Sequence, residues 1–175
     1  MKTLNSKEIQ FAFGEGFLGQ VLVAGTDQGV SSILIGEDRH ALLQELKERF
    51  PKAALVEARA EFKTLTDQVL RFVESPRDFP DFPLDLGGTP FQRRVWDALL
   101  KIPAGSTATY AEIARRLGLS KGSARAVARA CATNALAVVI PCHRAVGRDG
   151  RLTGYRWGLE RKRRLLEKEL TLAKN

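Results

Sequence analysis

The sequence predicts a small α/β unit followed by a mainly helical unit. In the first half only, strand-like apolar runs alternate with segments whose apolar residues have the spacing of a helix. Gly87-Gly88 then interrupts the pattern, which places the boundary between residues 1–86 and 87–175. The first segment carries 10 basic and 14 acidic side chains, a net charge of −4, and the second carries 18 and 6, a net of +12. So basic a second half indicates a nucleic-acid surface.

The first half is predicted to begin with two strands, over 18–24 and 30–35, because both runs are apolar and a glycine-containing turn separates them. Asp38 is a favourable N-cap for a helix over 40–50, which Pro51 ends. The other elements predicted here are a helix over 62–73 and a short strand over 84–86.

The second half is predicted to be helical. Thr89-Pro90 is a favourable N-cap and N1 pair for a helix that runs to Leu100. Thr109 is expected to cap a helix over 110–117, and Ser123 a helix that runs to about Thr133. These last two helices, joined by a glycine-containing turn, resemble a helix-turn-helix. Ordinary helix packing is the alternative interpretation of the same pair.

The candidate chemistry lies at Pro141-Cys142-His143. Six apolar residues, 135–140, precede it and predict a buried strand that ends at the proline and presents the next side chains at the mouth of the fold. A cysteine gains nucleophilic reactivity beside a histidine or in a positive field. Arginines crowd around this pair in the sequence, at positions 125, 129, 144, 148, 151 and 156.

Other features narrow the possible classes of protein. Two cysteines make a poor disulfide framework, so we expect Cys131 and Cys142 to be reduced, as in the cytosol. Two cysteines and two histidines do not easily form a four-ligand zinc site, so we expect no metal. The sequence has no signal peptide and no apolar run near 18 residues, so no membrane span is expected. The run Arg161-Lys162-Arg163-Arg164 fits a solubilising helix face.

The second half resembles the O6-alkylguanine-DNA alkyltransferases, also called methylated-DNA–protein-cysteine methyltransferases. The resemblance covers nearly all of residues 87–170, and Tyr155-Arg-Trp-Gly158 is most similar to the C-terminal half of the family's bacterial adaptive-response members. The motifs that carry it are Phe91-Gln-Arg-Arg-Val-Trp96, Ile102-Pro-Ala-Gly105, Thr109-Tyr110, Arg125-Ala-Val127, Ala130-Cys-Ala-Thr-Asn134, Pro141-Cys-His-Arg144 and Gly154-Tyr-Arg-Trp-Gly158.

The resemblance implies a fold and a reaction. Residues 1–86 would form a ribonuclease-H-like α/β domain, and 87–175 a mainly α domain with a winged-helix-like helix-turn-helix. The family's members repair DNA by moving the alkyl group of O6-alkylguanine irreversibly onto a cysteine, here Cys142, in a single-turnover suicide reaction. The partner would be alkylated double-stranded DNA, bound through the minor groove with the base flipped out. The resemblance leaves O4-methylthymine open as a second substrate, and it implies a cytoplasmic, nucleoid-associated monomer without a cofactor.

The resemblance also assigns roles to single residues. His143 would act as the base on Cys142 through a water, with Glu169 orienting it. The Asn134 amide would bridge the turn that carries the cysteine, and Tyr110 would donate its hydroxyl to the departing purine. The DNA-binding residues would be Arg125, as the finger that replaces the flipped base, with Gln92 and Arg148; the substrate-binding residues would be Tyr155, Arg156 and Ala145.

Two other classes of protein share some of these features. A non-catalytic DNA-binding protein, either a lesion sensor or a transcription regulator, would explain the helix pair and the charge, but not Cys142 and His143. A cysteine hydrolase would explain that pair, but not so basic a surface.

Overall fold

A computed structural model describes residues 8–76 and 79–174. The chain divides into two units: residues 8–74 with 80–87 form the first, and residues 75–76, 79 and 88–174 form the second. Among the described residues, no helix combines the length and the apolar character needed to cross a lipid bilayer.

The first unit is a mixed four-stranded sheet in the order β3-β2-β1-β4, with two helices. β1 to β3 form an antiparallel meander, and β4 pairs in parallel with β1. Apolar side chains of β1, β2 and β3 form a core with Leu42 and Leu46 of α1. The elements are β1 (Glu8–Gly16), β2 (Gly19–Thr26), β3 (Gly29–Gly36), α1 (Arg39–Arg49), β4 (Ala54–Glu57) and α2 (Ala60–Glu74).

Most predictions for this unit are confirmed. β2 and β3 are the two predicted strands, and both helices lie within a few residues of their predicted bounds. The Asp38 carboxylate accepts hydrogen bonds from the backbone N–H groups of His40 and Ala41, at 3.2 and 3.1 Å, as an N-cap does. The predicted strand over 84–86 is wrong in extent, because only Leu84 forms a bridge, to Val30. β1 and β4 were not predicted.

The second unit is mainly helical. Its elements are α3 (Pro90–Leu100), β5 (Ala108–Thr109), α4 (Tyr110–Arg116), α5 (Ala124–Ala132), β6 (Ala145–Val146) and α6 (Leu159–Ala173), and β5 pairs in parallel with β6. Thr89 and Thr109 are confirmed as N-caps, each in a capping box with the residue three positions later, Gln92 and Glu112.

Three helices form the core that supports the site. Val95 and Leu99 of α3, Ile113 of α4 and Val127 of α5 are fully buried. The Trp96 indole N–H donates to the Ala130 carbonyl at 3.0 Å and so joins α3 to α5. This packing fixes α5 against its neighbours and leaves its other face exposed.

The predicted cap at Ser123 is wrong. Ser123 has helical backbone angles, φ −81° and ψ −2°, and its side chain makes no capping bond. The chain enters α5 through a 3-10 turn, Lys121–Ser123, so no extended residue precedes the helix as a capping hydroxyl requires. The Ser123 hydroxyl lies 3.1 Å from that of Ser120 instead.

Candidate active site

A turn, and not the predicted strand, leads to Cys142. Residues 135–140 are buried, but they form turns in which only Leu136 makes a bridge. Val138 has φ +69°, a left-handed conformation that is costly for a β-branched residue and incompatible with a strand. The strand prediction is therefore wrong, because tertiary contacts override the β propensity of this apolar run.

The Asn134 side chain holds this turn together. Its Oδ1 accepts from the Leu136 N–H at 2.8 Å, and its Nδ2 donates to the Ile140 carbonyl at 3.0 Å. Nδ2 also lies 3.2 Å from Cys142 Sγ. One buried amide thus satisfies the backbone groups of the turn and contacts the candidate nucleophile.

Cys142 begins a 3-10 turn, Cys142–Arg144, and its side chain is buried. Burial raises the pKa of the thiol, while the Asn134 hydrogen bond and the nearby Lys162 ammonium act against that rise. At neutral pH the resting sulfur is therefore a protonated thiol. It has to lose its proton to a base before it can act as a nucleophile.

His143, the residue after Cys142, is the candidate for that base. Its Nε2 lies 2.7 Å from Glu169 Oε1, and both side chains are fully buried. Burial lowers the pKa of His143 even though Glu169 opposes this, so the ring is neutral near pH 7. An ionised carboxylate only accepts hydrogen bonds, which assigns the proton to Nε2. The other nitrogen, Nδ1, is buried without a partner among the described residues and carries the free lone pair.

Glu169 is held by three groups besides His143 Nε2. Arg144 donates from Nε and Nη2, at 2.8 to 3.1 Å, and the Gly105 N–H donates at 3.1 Å. Burial by itself would raise the pKa of Glu169, but the hydrogen bonds from His143 and Arg144 and the positive charge of Arg144 outweigh it and lower the pKa to about 2. The carboxylate therefore stays ionised and fixes the histidine ring.

Arg144 is not part of a basic surface, contrary to the expectation from the clustered arginines. Its side chain is almost completely buried between Glu169 and the Ile102 carbonyl, to which Nη1 donates at 2.6 Å. The interpretation of Arg161–Arg164 as a solubilising face is also wrong for Lys162, which is fully buried. Lys162, Leu165 and Glu169 are all buried and lie on one face of α6. Their spacing of three and four residues is the feature of the sequence that could have predicted the burial of Lys162.

A cavity of about 390 Å³ lies against the thiol. Tyr110 donates its hydroxyl to the Thr153 carbonyl at 3.1 Å on one wall of this cavity, and the Tyr155 hydroxyl is buried without a partner among the described residues. The lining residues are Tyr110, Cys142, three small side chains of α5 (Ala128, Cys131, Ala132), and 153–156 from the loop before α6. The structure thus brings four predicted site residues together, Tyr110, Cys142, Tyr155 and Arg156, and adds Cys131, which was not predicted.

Four further predicted site residues do not line the cavity: Gln92, Arg125, Ala145 and Arg148. Arg125 is exposed on α5, and Arg148 is exposed in the turn Arg148–Gly150. Gln92 completes the cap of α3 and donates to the Thr133 hydroxyl at 3.0 Å. Ala145 is fully buried and is not among the lining residues; its carbonyl accepts from Lys162.

The pKa shifts of the buried pair predict instability in acid. Glu169 has a folded-state pKa of about 2 against an ordinary 4.5, so its contribution to stability is present above pH 4.5 and is lost as the pH falls toward 2. The pKa of His143 is lowered from 6.5, so its contribution to stability is likewise lost as the pH falls below 6.5. We expect the urea concentration at the midpoint of unfolding, measured by tryptophan fluorescence, to decrease once the pH drops below about 6.5. The decrease should become steep below about pH 4.5. Glu169→Gln should flatten the lower part of the curve; an unchanged wild-type midpoint down to pH 3 would contradict the coupling.

Comparison with known proteins matches this chain to a family. A family model described as "6-O-methylguanine DNA methyltransferase, DNA binding domain" matches residues 90–171. The solved structure "Mycobacterium tuberculosis OGT in complex with DNA" superposes with a TM-score of 0.76 at 34% identity, over 94% of this chain and 93% of that one. A methylated-DNA–protein-cysteine methyltransferase of Mycobacterium bovis is 47% identical over 112 residues, 64% of this chain and 67% of its own.

This chain belongs to the methylated-DNA–protein-cysteine methyltransferase family. Another similar member is the "Bifunctional transcriptional activator/DNA repair enzyme Ada" of Escherichia coli K12, which is 44% identical over 162 residues. That match covers 92% of this chain but 45% of Ada, so this chain spans a little under half the length of this relative.

Proposed function

We propose that this chain is a DNA repair protein that transfers the alkyl group of O6-alkylguanine in double-stranded DNA to its own Cys142. The observation that carries the proposal is the cavity at the Cys142 thiol, backed by a neutral His143 whose free nitrogen can accept a proton. The names of its relatives support the reaction: methylated-DNA–protein-cysteine methyltransferase, and DNA repair enzyme for Ada.

The reaction follows from the groups present. The Cys142 proton passes through a water to His143 Nδ1, and Glu169 stabilises the imidazolium that results. The thiolate attacks the sp³ carbon bound to O6, the S–C bond forms as the C–O6 bond breaks, and the electron pair stays on guanine. Tyr110 releases the Thr153 carbonyl and donates its single hydroxyl proton to the purine instead, which stabilises the negative charge of the purine. The product is a thioether, so the cysteine methyltransferase acts once and is consumed.

The substrate has to leave the DNA stack to reach the thiol. Flipping a base costs a few kcal/mol, which contacts to the DNA must offset. Arg125 is exposed on α5, the second helix of the proposed winged-helix-like helix-turn-helix, and it fills the space that the base leaves. Arg148 and Gln92 contact the DNA backbone, while Tyr155, Arg156 and the backbone around Ala145 bind the flipped base. Binding in the minor groove reads little sequence, which suits a protein that inspects every guanine.

Arg125→Ala should separate DNA binding from chemistry. We expect it to slow repair of a duplex that carries O6-methylguanine far more than transfer from free O6-benzylguanine, because only the duplex requires base flipping. Arg129→Ala, an exposed arginine on the same helix, is the matched control and should have the smaller effect on the duplex. Equal losses with both substrates in Arg125→Ala would show that Arg125 supports the cavity instead.

A stoichiometric assay tests the proposed reaction. With a labelled methyl group on the guanine of a duplex, the wild-type chain should become labelled to a single methyl group per chain and then stop. Continuous turnover, or labelling of Cys131 in place of Cys142, would contradict the proposal.

The two units are proposed to correspond to the two domains expected from the sequence. The antiparallel meander with a parallel fourth strand and two helices supports a ribonuclease-H-like domain over 1–86. The pair α4 and α5, with β5 before it and β6 after it in the chain, supports a winged-helix-like domain over 87–175. We further propose that the protein works as a cytoplasmic, nucleoid-associated monomer without a cofactor or metal.

A further inference from the structure

The cavity at Cys142 opens between the end of α5 and the loop before α6. The two cysteines that line it, Cys131 and Cys142, are buried. Four other lining residues are exposed and so mark the opening: Ala132, Thr153, Gly154 and Arg156. Among the described residues that line the cavity, Arg156 is the one with a charged side chain. A cation therefore lies at the opening of an otherwise uncharged cavity.

Two contacts help to hold the Arg156 guanidinium at this opening. Nη1 donates to the carbonyl of Ala132, the last residue of α5, in a long hydrogen bond of 3.4 Å. Cζ lies 5.9 Å from the centroid of the Trp157 ring, within the range of a cation–π interaction. The side chain begins in the loop and reaches α5, so it spans the opening from one wall of the cavity to the other.

The charge of Arg156 acts on the interior of the cavity as well as on its opening. Burial raises the pKa of the Cys142 thiol, and the Arg156 guanidinium is one of the groups that oppose this rise. The Arg156 side chain itself is exposed, so a ligand that arrives from solvent can contact it. An anion at the opening would meet this guanidinium before any other part of the ligand reaches the thiol.

A flipped nucleotide brings such an anion to the opening. Its base has to enter the cavity, because the alkyl carbon on O6 must reach Sγ of Cys142. Its two flanking phosphates cannot follow the base, since they remain part of the DNA strand outside the protein. They therefore stay close to the opening. A guanidinium binds a phosphate through two parallel N–H···O bonds and neutralises its charge.

We propose that Arg156 binds a phosphate that flanks the flipped guanine nucleotide, and so recognises the DNA strand at the lesion itself. The inference rests on the proposed function, and it specifies which part of the flipped nucleotide Arg156 contacts. The contact is an ion pair with hydrogen bonds, and no covalent bond changes in it. It offsets part of the cost of flipping the base and so raises the population of the flipped state.

A neutral replacement of the phosphate tests this contact from the side of the DNA. Every duplex carries a single O6-methylguanine, and one of them is otherwise unmodified. In the others a neutral methylphosphonate replaces the 5′ phosphate of that nucleotide, its 3′ phosphate, or a phosphate one helical turn away. Wild type, Arg156→Ala and Arg156→Lys are compared for the rate of methyl transfer. Binding of the same duplexes is measured with and without Arg156→Ala in the Cys142→Ala background, where no transfer occurs.

We expect Arg156→Ala to slow transfer from the unmodified duplex by about tenfold, a typical effect of losing one hydrogen bond to a charged group. At one of the two flanking positions, the methylphosphonate should slow the wild type by a similar factor and make Arg156→Ala no slower than the wild type. The distant methylphosphonate should leave the tenfold difference unchanged, and Arg156→Lys should keep part of the rate. Arg156→Ala should also reduce the slope of log affinity against log salt concentration by about 1.

Two results would overturn the inference. One is a wild-type rate of transfer in Arg156→Ala. The other is the same slowing by Arg156→Ala on every duplex with an unchanged salt slope, which would mean that Arg156 only supports the loop or contacts the base. Absence of transfer by the wild type from the unmodified duplex would instead refute the proposed function, and the binding measurements would still test the phosphate contact.

Discussion

Replacing Cys142 with alanine will abolish alkyl transfer completely while the protein still binds alkylated duplex DNA. The reason is chemical, since the reaction needs a soft nucleophile at this position and the other groups of the site provide only proton transfer and charge. The binding surface is preserved because Asn134 still bonds to Leu136 and Ile140 and holds the turn. Transfer is measured with a labelled methyl group, and binding by fluorescence anisotropy of a duplex that carries O6-methylguanine.

Cys131→Ala is the matched control for this variant. Cys131 is also a buried free thiol and lines the same cavity. Burial and the neighbouring Cys142 raise the pKa of its thiol, which keeps it protonated. We expect Cys131→Ala to accept one alkyl group as the wild type does. Residual transfer in Cys142→Ala that disappears in the double variant would mean that Cys131 is an acceptor.

Glu169→Ala will cause the largest loss of stability among single substitutions at the site. It leaves the Arg144 guanidinium buried without its counter-ion and frees the ring of His143. Removing one partner of a buried ion pair costs about 3–5 kcal/mol. Both tryptophans, Trp96 and Trp157, are buried in the second unit, so urea unfolding followed by their fluorescence reports on this unit directly.

Glu167→Ala on the same helix provides the comparison. Glu167 is exposed and pairs with Arg163 one turn away, an interaction that the surrounding water screens. Its loss should leave unfolding and alkyl transfer almost unchanged. If Glu169→Ala were as stable as Glu167→Ala, the hydrogen bonds of Glu169 would not stabilise the site. That result would also contradict the role of Glu169 in orienting His143.

The sequence could predict those features that depend on neighbouring residues. Asp38, Thr89 and Thr109 cap their helices through backbone amides no more than three residues away, so a local pattern was sufficient. β4 is only four residues long and pairs with β1 from far along the chain, so it has too few residues to show a period. The bounds of the helices were predictable, but the edge of the sheet was not.

The site was predictable in its residue types and not in its environment. Cys142 and His143 stand out in the sequence, and the resemblance to a family added Glu169. Arg144 and Lys162 were assigned to basic surfaces because such residues are almost never fully buried unless they are paired. Their partners, Glu169 and the Ala145 carbonyl, lie 25 and 17 residues away in the chain. Only the folded structure shows that Arg144 and Lys162 are buried and bind groups in the interior of the protein.

The intact mass of the protein tests the central claim most directly. The chain is incubated with a duplex that carries a single O6-methylguanine, and both the protein and the oligonucleotide are then weighed by mass spectrometry. We predict that the protein gains one methyl group, located on the peptide that contains Cys142, and that the oligonucleotide loses it. A protein of unchanged mass beside an intact methylated oligonucleotide would contradict the account.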